Sequence, residues 1–240
     1  MRYLILMIVV VLVASCVSQT TSFEKGMQAF ATGDYAEAKK HMLTLAEKGD
    51  AAAQLNMGIL YTQGFGVVES HAEALKWYCQ AAAGGEPGAF TNIGEMYLNG
   101  MGLAKDQNLS SVWYRKAAEL DGPIGQFRVG WNYYKGEQEQ KDLYKAYVLF
   151  KLAFRNFNDL DRELAMLIGD LEQELTPQQI SAGVDAVKAW EPTPFSADVV
   201  QWVQTSDACR ATLRAEQQSR ATLRAEQQSR ATLRAEQQNG

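Results

Sequence analysis

Ala53-Gln-Leu-Asn-Met-Gly58-Ile-Leu-Tyr61-Thr-Gln-Gly64-Phe-Gly66 returns 36 residues later as Ala89-Phe-Thr-Asn-Ile-Gly94-Glu-Met-Tyr97-Leu-Asn-Gly100-Met-Gly102. The same offset relates Trp77-Tyr78-Cys-Gln-Ala81-Ala82 to Trp113-Tyr114-Arg-Lys-Ala117-Ala118, and Pro87 to Pro123, without insertion or deletion. A weaker third copy keeps Gly130, Tyr133, Gly136, Leu149, Phe150 and Ala153 in register. A fixed period of this length is the mark of a repeat array in which each unit hides its apolar face against the next.

Each copy reads as two antiparallel helices. Ala53, Met57, Gly58 and Tyr61 fall on one helical face, and the Trp77-Tyr78 and Ala81-Ala82 pairs give the second helix a mixed large and small surface to pack back with. A glycine inside a helix costs about 1 kcal/mol relative to alanine, so Gly58, Gly94 and Gly130 call for close helix approach. Gly64, Gly100 and Gly136 stand where a left-handed residue ends the first helix.

The pattern A-x-x-x-x-G-x-x-Y-x-x-G-x-G followed by a W-Y and A-A helix resembles the Sel-1-like repeats, relatives of the tetratricopeptide repeats. The resemblance covers residues 51–122 well and 123–156 loosely, and it implies an all-α, right-handed α-α solenoid with units at 51–86, 87–122 and 123–156. Residues 23–50 are similar to a shorter tetratricopeptide-like first unit, carried by Phe30, Gly33, Tyr35, Ala38, Leu45 and Ala46. The third copy departs from the pattern with Gln138 in place of the second loop glycine and Phe154 in place of alanine. By the same resemblance, the first helices line a concave wall at Leu55, Ile59 and Thr62, then Thr91, Glu95 and Asn99, then Phe127, Trp131, Tyr134 and Lys135. Exposed aromatic side chains make strong interface anchors, so the third set is the expected focus for a protein or peptide partner. The alternative for Phe127 and Trp131 is packing beneath the following helices.

The chain begins with one charge at Arg2 and an apolar run over 4–13, too short to span a bilayer of roughly 30 Å. Val13-Ala14-Ser15-Cys16 then resembles the bacterial lipobox, which implies a signal peptide at 1–15 and diacylglycerol on Cys16. Val17 at the second mature position is similar to lipoproteins sorted to the outer membrane, and 16–22 read as a tether. The expected location is therefore the cell envelope, lipid-anchored at the outer membrane and facing the periplasm. A plain signal peptide cleaved near Ala14 is the alternative.

The net charge is -5, although residues 210–239 hold six Arg and three Glu, so the chain before them is the more acidic part. Such a body repels phosphate, which argues against nucleic acid as a partner. No cofactor or zinc motif is found, and His41 and His71 stand alone in the sequence. No nucleophile and base share a motif, so the chain reads as an interaction scaffold and not an enzyme. The alternative is a secreted hydrolase acting on β-lactam or cell-wall substrates. Family members linked to β-lactams carry paired cysteines in every repeat, whereas here only Cys79 lies within one. A Cys79 to Cys209 bond is chemically permitted in an oxidising compartment, and the sequence leaves it open.

Beyond the repeats, residues 157–205 are expected to cap the array. Leu160, Leu164, Leu167, Ile168 and Leu171 form an apolar stripe, and Thr176-Pro177-Gln178-Gln179 is a capping-box helix start. Pro192 and Pro194 precede a last apolar segment over 195–203. In the tail, 206–240, a decapeptide recurs three times. Its period turns a helix by about 1000°, so Leu213, Leu223 and Leu233 cannot align as a coiled-coil seam.

Overall fold

The computed structural model describes residues 21–156, 162–214, 218, 221–222 and 226–230. Four helix pairs follow one another: α1 (Ser22–Ala31) with α2 (Tyr35–Ala46), α3 (Ala51–Gln63) with α4 (His71–Ala83), α5 (Pro87–Asn99) with α6 (Gln107–Glu119), and α7 (Pro123–Lys135) with α8 (Leu143–Asn156). Then come α9 (Arg162–Glu174), α10 (Pro177–Lys188) and α11 (Ala197–Thr205). Among the described residues there is no strand, and each repeat helix packs chiefly on its neighbours in the chain. The molecule is an all-α solenoid of helix pairs, and the expected cleavage site and lipidated Cys16 lie outside the described residues.

Local chemistry recurs with the sequence period. Gly64, Gly100 and Gly136 end the first helices at φ 68, 73 and 74°. The loops then close by the same long turn, with Ser70, Asp106 and Asp142 donating their amides to the carbonyls of Tyr61, Tyr97 and Tyr133. Those three residues also start the second helices, each accepting a backbone amide through its side chain. Gln138, at the missing loop glycine, keeps the left-handed conformation with φ 64°, close to Gly66 and Gly102 at 66 and 69°. Loop shape thus survives a residue that pays for it in backbone strain.

The interior glycines do what their spacing demands. A methyl on Gly58 would overlap the Tyr78 ring, on Gly94 it would sit 2.8 Å from Tyr114 Cε1, and on Gly130 it would sit 2.8 Å from Phe150 Cε1. An aromatic side chain of the second helix therefore lies directly on the backbone of the first. Around these contacts the core is a series of clusters: Met42, Ala53, Met57 and Leu60 near the start, Tyr78, Phe90, Ile93 and Trp113 in the middle, and Tyr147, Phe150, Leu164 and Leu171 at the end.

Both α9 and α10 pack on α8, and Thr176 forms the capping box with Gln179. The segment α11 is different from the terminal cap expected of 157–205. It runs back along the array and packs on α4, where Val199 and Val203 join the cluster of Cys79, Phe90 and Trp113. An apolar stripe of that size finds its burial in the groove beside the middle repeats and not at the end already covered by α9 and α10. Cys209 is bonded to Cys79 across a separation of 130 residues, which settles the pairing that the sequence leaves open. The first turn of the tail is held by the same contact, since Leu213 is buried in that cluster.

Three changes in stability are expected from these contacts. Gly94→Ala should lose roughly 1–3 kcal/mol through overpacking even after the helix-propensity gain. Gly169→Ala in α9, whose added methyl meets nothing within 4 Å, should gain about 0.5–1 kcal/mol in the same urea titration. Replacing both Cys79 and Cys209 by serine, or unfolding in excess reductant, should lower stability by roughly 2–5 kcal/mol.

Candidate functional site

The ten residues expected on the concave wall do not behave alike. Thr91 is 3% exposed and bonds the Pro87 carbonyl, so it is sealed from any guest. The α5 face at this position is consumed by packing within the array, where α5 also meets α7. Leu55 and Ile59 are half-buried against the central cluster, and Thr62 bonds the Tyr78 hydroxyl at 2.9 Å. Glu95 is paired with Arg128 of α7, and Asn99 donates to the Glu95 carbonyl at 3.1 Å, which ties one first helix to the next.

The third set is assembled as a continuous aromatic row. Phe127 and Trp131 have ring centroids 6.0 Å apart, and Trp131 and Tyr134 are 5.6 Å apart. Phe150 of α8 supports the row from below, 5.6 Å from Phe127 and 6.4 Å from Tyr134. Lys135 Nζ lies 4.9 Å from the Trp131 ring and 5.5 Å from that of Tyr134. Both readings of Phe127 and Trp131 therefore hold in part: the rings rest on α8, yet all three aromatic residues remain half-buried and not enclosed. Ring stacking fixes their rotamers before any partner arrives, which lowers the entropy lost on binding.

Other features were not legible in the sequence. Ser22 Oγ lies 3.1 Å from His41 Nδ1, and Glu37 Oε1 lies 3.2 Å from His41 Nε2. The group resembles a nucleophile, base and carboxylate set, but Glu37 is shared with Lys40 at 2.9 Å and the serine opens a helix. It serves as a clasp between α1 and α2. On the second-helix side, a cleft of about 350 Å³ is walled by α6, α7 and α8, with Tyr133, Val148 and Leu149 among its apolar groups, and is closed by Ala186 of α10 and Trp190 just beyond it. Among the described residues no His, Cys, Asp and Glu cluster could hold a metal, and no helix is long and apolar enough to cross a membrane.

Buried phenols are the chief electrostatic feature. Burial pushes the Tyr78 hydroxyl up to about 12, with the Thr62 hydrogen bond pulling the other way. Tyr147 also rises to about 12, through burial first and then its bond to the Glu172 carboxylate. Tyr114 is raised as well, again mainly by burial. The neutral phenol is thus favoured in the fold, so this stabilisation is complete below the ordinary value of about 10 and is lost as pH climbs toward about 12. Tyrosinate absorbance in a pH titration should show these groups ionising late, together with unfolding, and Tyr78→Phe should make the loss of stability over that window shallower.

The Sel1 repeat family profile matches residues 51–86, 91–122 and 123–156. The fold is similar to the crystal structure of a Sel1 repeat protein from Oxalobacter formigenes, with 27% identity, TM-score 0.56 and 72% of each chain covered. It is also similar to c5321, a protective antigen present in uropathogenic Escherichia coli strains displaying an SLR fold, with 30% identity and TM-score 0.51 over 75% of this chain. That second match spans only 35% of the other protein. Among curated proteins no sequence match is found. The shared repeat register, the glycine-ended first helices and these structural likenesses show that residues 51–156 form an array of Sel1-like repeats.

Proposed function

We propose that this chain is a lipid-anchored, periplasm-facing scaffold that holds a protein or peptide partner of the cell envelope along its first-helix face. Sel1 repeat proteins serve as protein–protein interaction scaffolds, which is the coarse part of this reading. The observation that carries the finer part is the row Phe127, Trp131 and Tyr134 with Lys135 above it, pre-arranged on α8 and left half-open. A guest strand or helix laid across it would bury large aromatic area at little entropic cost, with Lys135 free to meet a carboxylate or carbonyl. Contacts made by Thr62 and Glu95 inside the array leave less for the earlier repeats to offer.

Two features support export. The lipobox-like Val13-Ala14-Ser15-Cys16 follows a short apolar core, and the Cys79 to Cys209 bond is of the kind that persists in oxidising compartments. A diacyl anchor on Cys16 would hold the array at a membrane surface durably, each buried methylene contributing about 0.8 kcal/mol.

Affinity capture from a membrane fraction tests the face. Trp131→Ala with Tyr134→Ala should retain any direct partner at least tenfold less than the unaltered chain, while melting within a few degrees of it. Equal retention by both would remove the aromatic row from the binding site. For the anchor, labelled palmitate should enter the unaltered chain and not Cys16→Ala, and continued labelling of the variant would contradict lipidation at that residue.

A further inference from the structure

The returning C-terminal segment also builds a concavity that the peptide-binding face does not use. Where α11 and the turn after it cross α5 and α6, they enclose about 300 Å³. Tyr97, Trp113 and Trp202 form its aromatic side, and Thr205, Asp207 and Arg210 form its polar side. That volume is at the small end of ligand clefts, which run roughly from 300 to 1,000 Å³.

The aromatic side is rigid. Trp113 and Trp202 meet edge to face with centroids 4.6 Å apart, and Phe90 backs them at 5.7 and 6.3 Å. Trp113 is 2% exposed and Tyr97 is 5% exposed, so both are anchored in the core. The Tyr97 ring is buried, while its hydroxyl is not sealed with it and makes no hydrogen bond among the described residues, so it is open to a guest at the cavity. Burial keeps that hydroxyl protonated, and the carboxylates of Asp207 and Asp106 reinforce the effect, which leaves it a donor facing a shared space.

Charge narrows the ligand. The two charged residues that line the cavity are paired with each other: Arg210 Nη2 donates to Asp207 Oδ1 at 3.2 Å, and also to the Thr205 carbonyl at 2.7 Å. Lys116, 5.9 Å from the Trp202 ring, is paired with Glu119 at 2.8 Å. The charges lining the cavity therefore cancel and favour neither an anion nor a cation, while the Asp207 side chain is 81% exposed and keeps acceptor capacity. Indole faces attract C–H groups because the ring face carries negative potential. A guest with a C–H face, a rim of hydroxyls and no charge satisfies all of these groups.

We propose that this cavity binds a neutral hexopyranose unit, either free or within a glycan chain, with its C–H face on Trp202 and its hydroxyls at Tyr97, Asp207 and Thr205. The site exists only while the C-terminal segment is held on the repeats, so the Cys79 to Cys209 bond is part of it.

Saturation-transfer NMR on the oxidised full chain tests this with methyl glucoside, N-acetylglucosamine, chitotriose and glucuronate. Saturable transfer from at least one neutral sugar is expected, with glucuronate at least tenfold weaker. Tightening of tenfold or more for chitotriose would assign a glycan chain, and equal affinity would assign a free sugar. Asp207→Asn, at an exposed position, should weaken binding at least tenfold without altering the melt, and Cys79→Ser with Cys209→Ser should do the same where it stays folded. No saturation by any neutral sugar, preference for glucuronate, or unchanged affinity in Asp207→Asn would each overturn the proposal.

Discussion

Contact between a bare helix backbone and an aromatic ring sets the spacing of the whole array. Gly94 against Tyr114 and Gly130 against Phe150 bring each first helix and its partner closer than any side chain would permit, and Gly58 against Tyr78 does so again. The distance between paired helices is fixed there, and it fixes where the alanine pairs of the second helix meet the next unit. Ala81, Ala82 and Ala117 are fully enclosed and Ala118 nearly so as a result. Dispersion contacts at this density leave no slack, so one pair's geometry is passed along the chain to the next.

Conserved packing leaves the polar positions of the repeats free to diverge. Tyr78 bonds Thr62, but the residue one period after Thr62 is Leu98, and the hydroxyl of Tyr114 is left buried without a hydrogen bond of good geometry. Asp121 and Gln138 adopt positive φ without being glycine. These departures lie in the later repeats, beside the aromatic row and the Arg128 to Glu95 pair. The regular first half and the irregular second half therefore differ in chemistry while sharing one backbone plan.

Much of that plan was readable because it is local and periodic. Gly64, Gly100 and Gly136 as helix ends, and Thr176 with Gln179 as a helix start, depend on residues within a few positions of one another. The return of α11 and the pairing of Cys79 with Cys209 depend on surfaces far apart in the chain, for which no spacing rule exists. Thr91 occupies the helical position that Leu55 holds one period earlier, yet it is buried where Leu55 is half-buried, a difference that the repeat register alone does not carry. Ser22 and His41, 19 residues apart on separate helices, meet only once α1 and α2 have docked.

The Cys79 to Cys209 bond also decides how the molecule carries tension. A pull applied between its N-terminal end and the basic tail would travel through α1 to α4 and then cross directly from Cys79 to Cys209. Everything between those two cysteines, from α5 to α11, would hang as a slack side loop off the covalent path. The later repeats, with their aromatic row, would stay folded under a force able to unravel the first units, so the two ends of the array are mechanically independent.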